Sequence, residues 1–164
     1  MFFKKVSLVT GGFDPLHGGH IRYFERAKDL SDYLVVGINT NEWLTRKKGQ
    51  YFLPWTERAE IIRHLDMVDA VISWEDEDDS ACGAIAKCLD ISEKIIFANG
   101  GDRGKDNCPE VEKYHDDPRV EFAWSVGGDD KVNSSSWILH GYFERQRKLL
   151  GIKHELFENY SKGD

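Results

Sequence analysis

Five short runs of β-branched and aliphatic residues, at 6–10, 33–38, 70–73, 94–98 and 120–124, recur along this chain, most of them separated by helix-patterned stretches. Near-continuous apolar runs of this length are the mark of strands buried on both faces, and strands that alternate with helices form parallel sheets. The chain therefore reads as α/β: a Rossmann-like three-layer fold with a five-stranded parallel sheet and helices on both faces. Helical spacing is clear at 20–30, where Ile21, Phe24, Ala27 and Leu30 recur, and again at 57–65 and 81–89. A last helix is expected to start near Ser134, Ser135 and Ser136 and to stop at Gly151. With 164 residues, 40% of them hydrophobic, residues 1–150 are expected to form one domain and 151–164 a C-terminal tail.

In an open parallel sheet, ligands bind beyond the carboxyl ends of the strands. Here those ends deliver the loops starting at Gly11, Asn39 and Asn99. Segments 40–55 and 99–118 are polar, contain glycine and are long for plain connections, which marks them as functional loops.

The first loop carries the most chemistry. In Val9-Thr10-Gly11-Gly12-Phe13-Asp14-Pro15-Leu16-His17-Gly18-Gly19-His20 a strand ends in two glycines and a helix begins near His17. Small residues let backbone approach a ligand, and the unpaired N–H groups of a helix start favour an anion. The loop is not a P-loop, since G-x-x-x-x-G-K-[ST] is absent, and it lacks the G-x-G-x-x-G spacing of dinucleotide-binding dehydrogenases. His17 and His20, three apart, fall on one face of the first helical turn and can aim at one ligand. Zinc is the rival, but the metalloprotease pattern places a glutamate between histidines four apart, and here glycines fill the gap.

A formal net charge of -7 excludes a general polyanion binder, so any phosphate site is local and nucleic acid is not an expected partner. Much of that charge sits in Glu75-Asp76-Glu77-Asp78-Asp79, which reads either as a solvated loop or as a cation-attracting rim beside an acceptor pocket. No run of about 18 apolar residues suggests a membrane span, and the start lacks a secretion leader, so a cytoplasmic protein is expected. Cys82, Cys88 and Cys108 show no zinc-ligand or redox spacing and read as reduced thiols.

The segment from Gly11 to His20 resembles the H-x-G-H signature of the cytidylyltransferase-like nucleotidyltransferase superfamily. The resemblance runs on through residues 22–28 and 32–42 and covers roughly residues 5 to 140, as in glycerol-3-phosphate cytidylyltransferases and the nucleotidyltransferase domain of ADP-heptose synthases. It implies catalytic roles for His17, His20 and Lys48, the last in a mobile basic loop with Lys47 beside it, and for Arg58 in an E-x-R helix. It implies nucleotide contacts from Thr10, Gly11, Gly12, Phe13, Gly19, Lys47, Gly100, Gly101, Asp102, Arg103, Ser134, Ser135 and Ser136, the serines serving either as phosphate ligands or as helix caps. Asp14, Asn41 and Arg63 match the acceptor side. Two departures stand out: Gly128-Asp129-Asp130-Lys131-Val132 lacks the arginine that glycerol-phosphate cytidylyltransferases carry before their S-T-T, leaving Lys131 or Arg103 to replace it, and Asn41 stands where an aspartate is expected.

The implied reaction is in-line attack by an acceptor phosphate on the α-phosphorus of an NTP, with pyrophosphate leaving. It needs alignment and charge stabilisation but no protein nucleophile. Mg²⁺ is expected with the nucleotide and no protein metal site is assigned. CMP transfer from CTP to a small phosphorylated acceptor is the first expectation. The alternative is adenylyl transfer from ATP to a sugar phosphate, which the F-D-P and G-G-D segments favour, and a non-catalytic nucleotide-binding module is the alternative of another class. The resemblance also implies a homodimer.

Overall fold

The computed structural model describes residues 1–101, 103–128 and 133–151. Strand β1 spans Phe3–Gly11, helix α1 Gly18–Lys28, β2 Leu34–Ile38, α2 Asn41–Lys48, α3 Trp55–Arg63, β3 Ala70–Ile72, α4 Cys82–Leu89, β4 Ser92–Ala98, α5 Pro109–Tyr114, β5 Val120–Ala123 and α6 Ser135–Leu150. All four pairings are parallel and the order is β3-β2-β1-β4-β5.

Side-chain alternation along the strands explains the layering. Val6 and Leu8 of β1, Val35 of β2, and Ile95 and Phe97 of β4 point to one face, where Ala84, Ile85 and Cys88 of α4 and Tyr114 of α5 cover them. Val9, Leu34, Val36, Ile38 and Ala98 point to the other, under Phe24 and Ala27 of α1 and Ala59 and Ile62 of α3. Each of these buried side chains adds roughly 1.5–3 kcal/mol of apolar transfer energy for the larger residues. Two covered faces require strands without a polar side, which is why all five residues of β2 are buried.

The five expected strands are all present, with β1 longer than its apolar run at both ends. The expectation of open loops at 40–55 and 99–118 is corrected: α2 occupies the first, and a short 3-10 turn, Lys105–Asn107, and α5 occupy the second. Helix α2 buries only Leu44, so it shows no apolar stripe. It is held at its ends instead, by Thr40 Oγ1 accepting the Trp43 N–H at 3.1 Å and by Gly49 in the left-handed region at φ 83°.

The acidic run is not a solvated loop throughout. Asp76 is buried and its carboxylate accepts from Asn39 Nδ2, Thr40 N–H and Thr40 Oγ1 at 3.0, 2.9 and 2.8 Å, fixing the start of α2. Asp78 caps Ser80, and Asp79 pairs with Arg46 and Lys47 at 3.6 and 3.0 Å near the other end of α2. Among the described residues no helix is long and apolar enough to cross a membrane. The three cysteines are buried and unpaired with one another. Helix α6 starts at Ser135 and ends at Leu150 with Gly151 as its cap, close to expectation, whereas the tail from 152 onward lies outside the described residues.

Candidate functional site

Strand order reverses about β1: the chain moves outward through β2 to β3 on one side and through β4 to β5 on the other. Loops leaving β1 and β4 diverge at such a point and open a crevice between them. A cavity of about 400 Å³ is found there.

The first loop forms its floor. A Cβ on Gly11 would meet the Phe13 ring at 2.9 Å, and one on Gly12 would meet Leu44 Cδ2 at 2.8 Å. These glycines therefore let the loop fold onto its own Phe13 and onto α2, besides exposing backbone to a ligand. Phe13 itself holds φ 50°, a left-handed conformation that costs a non-glycine residue about 1–2 kcal/mol and is kept because the ring is buried against Phe24.

His17 is the N-cap of α1. Its Nδ1 accepts the Gly19 N–H at 3.1 Å, while the His17 N–H donates to His20 Nδ1 at 3.3 Å. The two rings stack with centroids 3.8 Å apart. Each Nδ1 acts as an acceptor, so each neutral ring carries its proton on Nε2. Gly19 must stay glycine for this arrangement, since a Cβ there would lie 2.9 Å from the His17 ring.

Burial holds both rings neutral. It pulls His17 below the ordinary 6.5, helped by the positive charges of Arg22 and Lys48, and it pulls His20 down to about 3, helped by His17 and Lys48. Between pH 6.5 and about 3 the unfolded chain then binds a proton at residue 20 that the folded chain does not. Stability from this group is complete above 6.5 and falls as the pH drops toward 3. Thermal unfolding of the wild type should weaken more steeply over this window than that of His20→Gln; equal slopes would show that the ring is not held neutral.

The other walls come from four elements. Gly100, Gly101 and Arg103 follow β4, Tyr23 rises from α1, Trp43 and Lys48 from α2, and Ser134, Ser135 and Ser136 open α6. Tyr23 donates its hydroxyl to Ala98 O at 2.6 Å, and its ring lies 3.2 Å from where a Gly100 Cβ would stand. Arg103 Nη2 donates to both oxygens of the buried Glu110 at 3.2 Å. Two of the serine hydroxyls have structural partners: Ser134 Oγ accepts the Trp137 N–H at 3.2 Å and Ser135 Oγ donates to Pro15 O at 2.8 Å. The first intrahelical bond of α6 runs from Ile138 N–H to Ser134 O, so the Ser135 and Ser136 N–H groups precede it.

The sequence-derived site is brought together in large part. His17, His20, Lys48, Thr10, Gly11, Gly12, Phe13, Gly19, Gly100, Gly101, Arg103 and the three serines all line the cavity. Asp102 and Lys131 lie outside the described residues. Lys47 is elsewhere, paired with Asp79. Arg58 is also elsewhere: 1% exposed, it donates to Leu53 O, Gly12 O, Asn39 O and Asn41 Oδ1 at 2.8–2.9 Å and ties the β1, β2 and α3 loops together.

None of the three residues assigned to the acceptor lines the cavity. Asp14 is buried and accepts the Phe52 and Leu53 N–H groups at 2.6 and 2.7 Å. Asn41 Oδ1 accepts from Trp55 N–H and Arg58, and Arg63 lies on the surface beside Glu60 at 3.5 Å. Asp14 and Asn41 are thus occupied in holding the segment between α2 and α3, whereas the contacts of Arg63 stay within α3. Arg22, Tyr23, Trp43, Asn99, Val126 and Asn133 line the cavity without having been singled out as site residues. Arg22 and Tyr23 carried a signal, their place within a turn of His20; Val126 carried none.

Among the described residues no carboxylate lines the cavity, while Arg22, Lys48 and Arg103 do, together with the starts of α1 and α6. An acidic protein has here gathered cations, helix N-termini and neutral imidazole donors around one space, a composition that fits a polyphosphate. Residues 8–132 match the family model for cytidylyltransferase-like proteins. The chain belongs to the cytidylyltransferase-like family. It is a nucleotidyltransferase by that membership.

This transferase is 34% identical over 149 residues to the bifunctional protein HldE of Geobacter metallireducens, an alignment covering 86% of the chain and 28% of that protein. The chain thus spans about a quarter of the length of the curated relatives it matches. Among solved structures, the lipopolysaccharide core biosynthesis protein of Thermoplasma volcanium shares the fold with a TM-score of 0.55 and 24% identity, covering 77% of this chain and 98% of that one. TmcAL of Thermotoga maritima, solved with alpha-thio ATP, shares it with a TM-score of 0.57 and 14% identity over 91% of this chain and 52% of its own.

Proposed function

We propose that this transferase moves an adenylyl group from ATP to the phosphate of a small sugar phosphate and releases pyrophosphate. The observation that carries the reading is the imidazole pair: two neutral rings whose Nδ1 atoms accept backbone N–H groups, leaving both Nε2–H donors for the ligand of a cavity with cationic walls. CTP, the first expectation from sequence, gives way to ATP because the curated relatives are HldE proteins, the ADP-heptose synthases whose nucleotidyltransferase domain this chain resembles.

In this reading an acceptor phosphate oxygen forms a new bond to the α-phosphorus as the bond to the bridging oxygen breaks, and the electron pair leaves with pyrophosphate. A phosphate monoester needs no general base at neutral pH. His17 and His20 donate Nε2–H bonds to the α-phosphate and bridging oxygens, where charge grows in the transition state. Lys48 and the N–H groups of Ser135 and Ser136 hold the β and γ phosphates, while Gly100 and Gly101 let the nucleoside lie close to backbone. Mg²⁺ would enter with the nucleotide as its phosphate complex and would neutralise phosphate charge there.

The test is an assay of pyrophosphate release from ATP and from CTP, each with Mg²⁺ and a panel of sugar 1-phosphates and glycerol 3-phosphate, with product masses recorded. A nucleoside diphosphate sugar formed faster from ATP than from CTP is the expected outcome. Faster turnover of CTP would return the assignment to cytidylyl transfer, and no product from any pair would favour a binding module.

A further inference from the structure

We infer that Glu110 is a positioning residue of the nucleotide site: from beneath the cavity wall it holds Arg103 so that the guanidinium meets a phosphate of the bound nucleotide. The inference rests on the transferase reading of the cavity. Glu110 lies on α5 at 0% exposure, far from water for a carboxylate. Donors surround it: the Ala81 N–H, the Cys108 thiol at 2.9 Å and Arg103 Nη2 at 3.2 Å to each oxygen. Arg103 is part of the cavity wall, with its side chain 32% exposed and its guanidinium 6.0 Å from the centroid of the Phe97 ring.

Burying a carboxylate is expensive, and an apolar pair of the same volume would commonly serve stability as well or better. What an ion pair adds is orientation. A guanidinium is a rigid planar fork with five donors, so holding one nitrogen limits where the others can point. Both contacts with Glu110 come from Nη2, which leaves the Nη1 and Nε side of the fork uncommitted to that carboxylate. The Phe97 ring, 6.0 Å away at its centroid, adds a weak cation–π attraction to the same guanidinium. The result is an arginine aimed before the nucleotide arrives, and bidentate recognition of a phosphate depends on such aim.

Equilibrium binding of ATP and of CTP, each with Mg²⁺, and of adenosine alone, is measured by calorimetry for the wild type, Glu110→Gln, Arg103→Ala and the double variant, with thermal unfolding followed in parallel. Glutamine keeps the volume and an oxygen for the Ala81 N–H but removes the charge partner. Glu110→Gln and Arg103→Ala are each expected to weaken ATP binding about ten-fold and to leave adenosine binding unchanged. The double variant should bind no more weakly than Arg103→Ala, because Glu110 acts through Arg103. If Glu110→Gln fails to fold, Glu110→Asp, which keeps the charge but draws it back from Arg103, is read in the same way. Wild-type affinity for ATP in the folded Glu110 variant, or losses that add in the double variant, would overturn the inference while leaving the transferase reading intact. A wild type that binds neither ATP nor CTP would overturn both.

Discussion

Replacing His20 by alanine is expected to lower kcat about 10²–10³-fold while the protein stays folded. The ring contributes little to the core: its described contacts are the bond from the His17 N–H, the stack on His17 and an edge contact with Phe13 at 5.0 Å. Besides the Nδ1 acceptor of the His17 N–H, a modest part of the α1 cap, the variant loses an Nε2–H donor placed where transition-state charge develops. His17 needs a different substitution, because the same side chain caps α1. His17→Ala would remove both functions and cost about 1 kcal/mol of stability with the cap. His17→Asn keeps a capping oxygen for the Gly19 N–H and removes only the ring. It should match the His20→Ala loss in kcat with an unfolding temperature near that of the wild type. Steady-state kinetics and thermal unfolding on both variants decide this, and full turnover in either would break the assignment of that ring.

Arg58→Ala should instead act on stability, lowering it by about 3–5 kcal/mol, or on the order of 10 °C in Tm for a chain of this size. Arg58 is buried, and burial works against its charge while Asp14 and Asp76 favour it. Four acceptors on three loops converge on the one guanidinium: Leu53 O, Gly12 O, Asn39 O and Asn41 Oδ1. Truncation leaves these acceptors and two nearby carboxylates without their donor. Lysine does not repair it, since a single ammonium cannot reach acceptors spread around a planar fork. Thermal unfolding of both variants is the check. An Arg58→Ala protein that unfolds like the wild type but has lost turnover would return Arg58 to the chemistry.

The same contrast shows what the sequence could and could not disclose. Strands buried on both faces leave unbroken apolar runs, so β2 at Leu34–Ile38 and the 95–98 part of β4 were legible, and the alternation with helices carried the sheet direction. Helix α2 was hidden because its stability is not written as an apolar stripe; it rests on a threonine cap, a glycine stop and carboxylates more than 25 residues away. Helix α5 is six residues long, with Pro109 at its start as its one local cue.

Within the site, His17 and His20 were legible because their spacing on a helix start is a geometric statement. Arg58, Asp14 and Asn41 were not. A polar residue near a ligand loop has the same sequence signature whether it faces the ligand or holds the loop from behind. Only the hydrogen bonds tell them apart, and here those bonds run to Phe52, Leu53 and Trp55 and, from Arg58, to the backbone behind the first loop at Gly12. The acidic run shows the same ambiguity: one carboxylate, Asp76, is buried beneath the start of α2, while Asp79 neutralises cations at its end.

The most direct measurement is a crystal structure of the protein with Mg²⁺ and an ATP analogue that cannot release pyrophosphate. The account predicts Nε2 of His17 and of His20 at about 2.7–3.2 Å from oxygens of the α-phosphate or its bridge, with the triphosphate running toward Lys48 and the start of α6. A nucleotide bound in the cavity with its α-phosphate beyond hydrogen-bond reach of both rings would contradict it.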